Sequence, residues 1–165
     1  MAGCGECGFE YDLARSSGAA GAIVDGAAQL AGLVATAPDV HVRRQPDLWS
    51  PLEYACHVRD VLLVQRERVL AARRVDRPSF DPMGRDDRVE HEGYSEQDPI
   101  AVARQLGDAA SMLANVFGRL GPADWARIVV YNYPAEFEES LRWVAVHTEH
   151  EVKHHLLDVR RQLEE

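Results

Sequence analysis

Residues 147–161, HTEHEVKHHLLDVRR, hold four of the seven histidines in a 165-residue chain. Within them, His150-Glu151-Val152-Lys153-His154 spells H-E-x-x-H. On a helix this spacing puts two imidazoles on adjacent turns, where both can reach one ion. Imidazole is a common ligand for zinc, nickel, iron and copper. Two nitrogens from one helix do not make a tight site, so a third ligand is needed. In zinc proteases it lies downstream, but only eleven residues follow His154. The extended protease motif wants glycine and histidine where this chain has Leu157 and Arg160. Glu164 and Glu165 are too close to the end to mimic a ligand from a second long helix. A protease is therefore set aside, and the third ligand is sought upstream.

At about 100° per residue the histidine segment has three sectors. Leu141, Val144, Ala145, Val152, Leu156, Val159 and Leu163 form an apolar core face. Arg142, Glu149, Lys153 and Arg160 form a solvated face. His147, His150 and His154 form a third sector, with Trp143 and Leu157 beside them, expected to line the interior or the mouth of a cavity. His155 falls near the core face.

The upstream candidates are His41, His57 and His91. His41 and His91 sit in polar connections. His57 sits mid-helix in WSPLEYACHVRDVLLVQRERVL, on the side of Tyr54, Val61 and Val64, and is expected to point inward. A lone inward histidine is more often a satisfied core residue than a ligand. Opposite an inward His-x3-His pair it would complete a three-histidine site whose remaining positions go to water or substrate.

These residues need long helices to carry them, and four segments read as helices. The first spans about Asp12 to Thr36, alanine-rich and interrupted by Gly18, Gly21, Gly26 and Gly32. The second begins with a capping box, Ser50 with Glu53 three residues on and Pro51 between, and runs to about Arg74. The third starts at Asp98-Pro99 and ends at Gly118 to Gly121. The fourth spans about Glu138 to Gln162. A long polar connection, Asp76 to Gln97, joins helices two and three; such loops in compact domains are usually functional or mobile. In WARIVVYNYPAEF, residues 125–137, a short strand is possible but is too isolated to build a sheet alone. The expectation is an all-α four-helix bundle over residues 12–165, with residues 1–11 as a tail.

The composition, 46% hydrophobic and 27% charged, is that of a globular domain. A net charge of −9 with no basic stripe argues against nucleic-acid binding. No run is expected to reach the roughly 18 apolar residues of a membrane span. The N-terminus lacks signal-peptide features, so a cytoplasmic location is the default expectation. Three cysteines do not suggest a disulfide framework. Cys4 and Cys7 form a C-x2-C knuckle, half of a zinc site, with no second cysteine pair; Cys56 cannot be assigned to it. The knuckle reads as a metal site completed by another chain, as a redox pair, or most plainly as a loose tail with two free thiols.

The segments WSPLEYACHVRDVL and HTEHEVKHHLLDVRR, in this order and on these helices, resemble the DinB-like family of YfiT-like metalloenzymes. The resemblance covers nearly the whole chain from Asp12 on. It implies a metal held by one histidine of the second helix and an H-x3-H pair of the last: His57, His150 and His154. It also implies zinc or nickel as the metal, and often a homodimer. The activities known in such proteins are those of bacillithiol transferases and mycothiol-dependent maleylpyruvate isomerase. The expected function is thus S-transfer or isomerisation of a small molecule, with a low-molecular-weight thiol such as mycothiol as co-substrate. The alternatives are a non-catalytic metal-stabilised bundle with a binding or stress-response role, and a metal-dependent hydrolase. A cation on three neutral histidines would acidify a thiol or water.

Around this site, Glu151 and His147 are the candidate catalytic groups, His147 as a fourth ligand, proton shuttle or plain cavity wall. Glu53 or Asp60 could orient a ligand ring, although a capping role for Glu53 and a solvated charge for Asp60 are the simpler readings. Arg59, Arg66 and Arg68 are the nearest cations for a substrate carboxylate. Tyr94, Tyr131 and Tyr133 could cover the bundle mouth. Trp49, Trp125 and Trp143 read as core anchors.

Overall fold

The computed structural model describes residues 3–164. Four long helices, α1 (Ala19–Thr36), α2 (Pro51–Arg74), α4 (Pro99–Phe117) and α6 (Leu141–Glu164), make a four-helix bundle. Two short helices, α3 (Arg85–His91) and α5 (Pro122–Trp125), lie in the connections. α1 and α2 each pack against both α4 and α6. The core is aliphatic, with Ile23, Leu30, Leu52, Leu62, Leu106, Leu113 and Leu141 all fully buried. Burial of such side chains is worth roughly 1.5–3 kcal/mol each.

The helix starts follow the chemistry of their first residues. Ser50 Oγ accepts from Glu53 N at 3.2 Å and Glu53 Oε2 accepts from Ser50 N at 2.7 Å, the reciprocal capping box. Asp98 Oδ1 accepts from Ala101 N, with Pro99 as the first helical residue. The expected first helix differs: Leu13–Gly18 is a 3-10 turn, and α-geometry begins at Ala19. By length and composition Leu13–Thr36 is apolar enough to cross a membrane, contrary to the expectation that no run is. In the bundle its Ile23, Ala27, Leu30 and Val34 belong to the core. Gly26 allows α1 to approach α6, since a Cβ there would stand 2.7 Å from Val152 Cγ1.

The connections hold more structure than expected. β1 (Ser79–Phe80) pairs parallel with β2 (Ile128–Tyr131), which pairs antiparallel with β3 (Phe137–Ser140). The strand expected in RIVVYNY is β2, and it escapes isolation because the long connection lends it β1. β3 runs straight into α6, which therefore begins three residues after the expected Glu138, with Trp143 N donating to Ser140 Oγ. The rest of the long connection folds back over α2. Tyr94, expected at the bundle mouth, is instead fully buried and donates to Asp60 Oδ2 at 2.5 Å. That cover explains why α2 is buried nearly all round from Pro51 to Leu62.

Candidate metal centre

α6 carries two overlapping i, i+4 pairs offset by one residue: His150 with His154, and Glu151 with His155. The offset turns them by about 100°, so they face different neighbours. His57 of α2 meets the second pair. One donor atom from each of His57, Glu151 and His155 lies within 4.8 Å of the others. His155 Nε2 is 3.8 Å from Glu151 Oε2, and the His57 and His155 rings stand edge to face at 5.0 Å. His155 Nδ1 is 3.0 Å from Asp158 Oδ2, which fixes the N–H there and leaves Nε2 as the free acceptor. His57 Nδ1 is buried with no hydrogen-bond partner. Orphaned buried nitrogens are rare in folded proteins, and an imidazole that has one and is grouped with a carboxylate and a second imidazole fits a divalent cation.

The electrostatics suit this use. Burial, aided by the neighbouring His155, lowers the His57 pKa to about 4, so the ring is neutral at pH 7 with a lone pair to give. Burial works against ionisation of Glu151, but His150, His147 and His155 around it hold its carboxyl down at about 2. Burial also lowers the pKa of His147.

The group opens onto a cavity of about 580 Å³ whose walls include His57, Glu151, His147, Trp143, Tyr131 and Arg68. The volume suits a small molecule. The Arg68 guanidinium lies over the Phe80 and Tyr131 rings at 5.5 and 5.0 Å and donates to Asp81 O. Burial lowers its pKa. Of the three arginines considered for substrate binding, Arg59 is committed to Asp60, Gln97 and Gln105. Arg66 pairs with Glu67, leaving Arg68 of these three at the cavity, whose lining also includes Arg85. Trp49, expected as a core anchor, is half-buried outside the core and packs on His57 at 5.1 Å, whereas Trp143 packs against the core and stacks on His147 at 4.4 Å. Tyr131 and Tyr133 line the cavity as expected of a cover. Trp125 stacks on Phe117 away from it.

The set expected from sequence is thus divided. His57 groups with Glu151 and His155, not with His150 and His154, which group with Cys4 and Cys7 of the N-terminal segment. That segment is packed onto α6 rather than hanging loose. Tyr11 Oη lies 2.9 Å from both His147 Nδ1 and His150 Nδ1, and Phe9 is buried against the His150 ring. His155, assigned to the core face, is buried there yet presents a donor. Asp60 is not solvated: it is buried among Arg59, Arg88 and Tyr94. Glu149, expected on the solvated face, is buried beside Lys153 and Arg15. Glu53 caps α2 and binds Arg43. His41 bonds Ser95 O in its connection, and His91 ends α3, away from the site.

A four-helix bundle whose second and last helices bring metal-ligating side chains to one cavity defines the class. The DinB superfamily model matches residues 22–159, and the chain belongs to the DinB superfamily. Among solved structures it is similar to YfiT from Bacillus subtilis, described as a probable metal-dependent hydrolase with an unusual four-helix bundle topology. The TM-score is 0.79 at 12% sequence identity, over 94% of this chain and 91% of that one, a likeness of fold. No curated protein matches the sequence.

Proposed function

We propose that the chain is a metal-dependent enzyme with its ion on His57, Glu151 and His155, acting on a small anionic molecule in the adjoining cavity. The observation that carries this is the group of two imidazoles and a carboxylate, of which His57 and Glu151 line the cavity, with His57 Nδ1 buried and unpartnered. Two histidines and one glutamate form a known donor set of catalytic zinc, which leaves a position open for a reactant. Zinc is the first choice and nickel the second. When bound, the ion supplies a Lewis acid that favours the anion of a thiol or of water at pH 7.

The chain's own groups do the rest. Asp158 holds the N–H of His155 on Nδ1 and so aims Nε2 at the site. Trp49 packs its ring on the buried His57 imidazole. Arg68 offers its guanidinium to a carboxylate or phosphate on the substrate. His147, whose Nδ1 accepts from Tyr11 Oη, carries its N–H on Nε2, 3.9 Å from Glu151, and can deliver that proton toward the cavity. These features support group transfer from a low-molecular-weight thiol such as mycothiol, or isomerisation with that thiol as co-substrate. Hydrolysis is the second reading, favoured by the description of YfiT.

The test is turnover of electrophilic carboxylic acids by protein purified without chelator or nickel resin, with and without added thiol. Thiol-dependent turnover that is lost in His57→Ala supports transfer or isomerisation, and thiol-independent turnover supports hydrolysis. A wild-type protein that retains no metal after such purification would overturn both.

A further inference from the structure

We propose that Cys4, Cys7, His150 and His154 hold a second divalent ion, zinc, in a closed tetrahedral site that fastens the N-terminal segment to α6. One donor atom from each of the four lies within 4.8 Å of the others. The spacings are C-x2-C and H-x3-H, the donor set and separations of closed Cys2His2 zinc sites. The two halves are far apart in the chain, and the fold brings them together.

The local structure is built for the purpose. Gly8 N donates to Cys4 O and Cys4 N to Phe9 O, both at 2.8 Å, closing a tight loop around the two cysteines. The loop turns through Gly8 at φ +70, a left-handed conformation that glycine adopts without strain. Backbone N–H groups of Cys7 and Glu6 face the Cys4 sulfur, as does the His150 ring.

Each histidine also has one nitrogen occupied and one available. His150 Nδ1 faces Tyr11 Oη at 2.9 Å, and its Nε2 is buried with no partner. This second orphaned nitrogen is independent of the one on His57. His154 Nδ1 is 3.6 Å from Cys4 Sγ, and its Nε2 lies near Glu6 Oε2 at 3.3 Å and Asp158 Oδ2 at 3.6 Å. Carboxylates behind a ligand imidazole are the usual outer support of a metal site. Tyr11 can accept from His150 Nδ1–H and donate to His147 Nδ1, which makes Nε2 the metal-binding nitrogen of His150.

Other groupings of these side chains are weaker. His147, His150 and Glu151 also cluster, as do His154, His155 and Asp158. In both, however, a member is already engaged: Glu151 and His155 face His57, and Asp158 holds the His155 N–H. On binding, Cys4 and Cys7 give up their thiol protons to solvent, and two thiolates with two neutral imidazoles cancel the charge of a divalent ion. Four protein ligands leave no position for a reactant, so the site is structural.

The experiment measures metal in the full-length reduced protein purified without chelator or nickel resin, then repeats the measurement after replacement by cobalt(II). The expected result is two equivalents of zinc, and a thiolate-to-cobalt charge-transfer band with strong tetrahedral bands in the visible. Cys4→Ser and Cys7→Ser should each lose one equivalent and that band. His57→Ala should keep the band and lose the other equivalent, which separates this site from the cavity site. Unchanged stoichiometry in the Cys4→Ser/Cys7→Ser protein overturns the proposal. So does a wild-type cobalt protein without thiolate charge transfer, a result that needs no variant to fold.

Discussion

Glu151 and Asp158 divide the histidines of α6 between two neighbourhoods. Asp158 Oδ2 is 3.0 Å from His155 Nδ1 and 3.6 Å from His154 Nε2, so one carboxylate stands behind a ligand candidate of each metal site. Asp158→Asn should therefore weaken metal binding at both, by about 10–100-fold each, as is usual when such a support is lost. Competition against a chelating indicator would measure it, and unaltered affinity at both sites would contradict the assignment. Arg68→Met should leave metal content unchanged and raise KM for an anionic substrate about 10–100-fold, the effect of losing a charge-assisted hydrogen bond. At this scale the sequence was only partly legible. His57 was readable as an inward-pointing histidine from its helix position. The pair it meets was not, because a helical wheel gives angles within α6 and not the rotation of α6 against α2. Glu151 was readable as a candidate catalytic group, but not as a neighbour of His57 and His155.

The elements were clearest where side chains act on their own backbone. The Ser50–Glu53 capping box is a local signal and is present as expected, as is Asp98 at the start of α4. The 3-10 start at Leu13 was not readable, because glycines weaken a helix without saying what replaces it. Nor was the sheet, whose β1 and β2 pair across a long stretch of chain. Glu53 also binds Arg43 at 2.6 Å, and it is only 2% exposed. Burial opposes its ionisation, but Arg43 and the Ser50 N–H hold its carboxyl below the ordinary value. A lowered folded-state pKa means the unfolded chain binds the proton more readily, so this stabilisation is complete above the ordinary carboxylate pKa and fades as pH falls through the folded one. Glu53→Gln should cost about 1.5–3 kcal/mol at pH 7, with the difference from wild type shrinking in acid. Urea unfolding at a series of pH values tests this, and a pH-independent difference would refute it. Gly26 makes a different contribution, letting α1 approach Val152 of α6. Alanine there gains about 1 kcal/mol of helix propensity but overpacks the core at a cost of about 1–3 kcal/mol. Gly26→Ala should therefore destabilise by about 1 kcal/mol, and less in a Val152→Ala background, where the clashing methyl is gone. Equal effects in the two backgrounds would exclude the clash.

For the molecule as a whole, the bundle and the N-terminal knuckle are separable in energy although the knuckle is packed in place. Among the described residues, the main core joins α1, α2, α4 and α6 and includes none before Ala19. The family match likewise starts at residue 22. The sequence showed half of the knuckle's donors plainly but not their partners, since no local rule links Cys4 to His154 across 150 positions. A protein lacking residues 1–9 should therefore keep its helical circular dichroism and its cavity metal while losing the second equivalent. It should also melt earlier. An ion bound only by the folded state, at a free concentration 100 to 1,000 times Kd, stabilises by about 2.7–4.1 kcal/mol. For a chain of this size that corresponds to roughly 5–16 °C in Tm, at about 2–4 °C per kcal/mol. Chelation of the full-length protein should lower Tm by at least as much, because it empties both sites, whereas chelation of the shortened protein should produce only the cavity site's share. Identical chelator-induced shifts in the two proteins would mean that the knuckle binds nothing, and its packing on α6 would then rest on Phe9, Tyr11 and the contacts of His154 and Arg161 with Glu6.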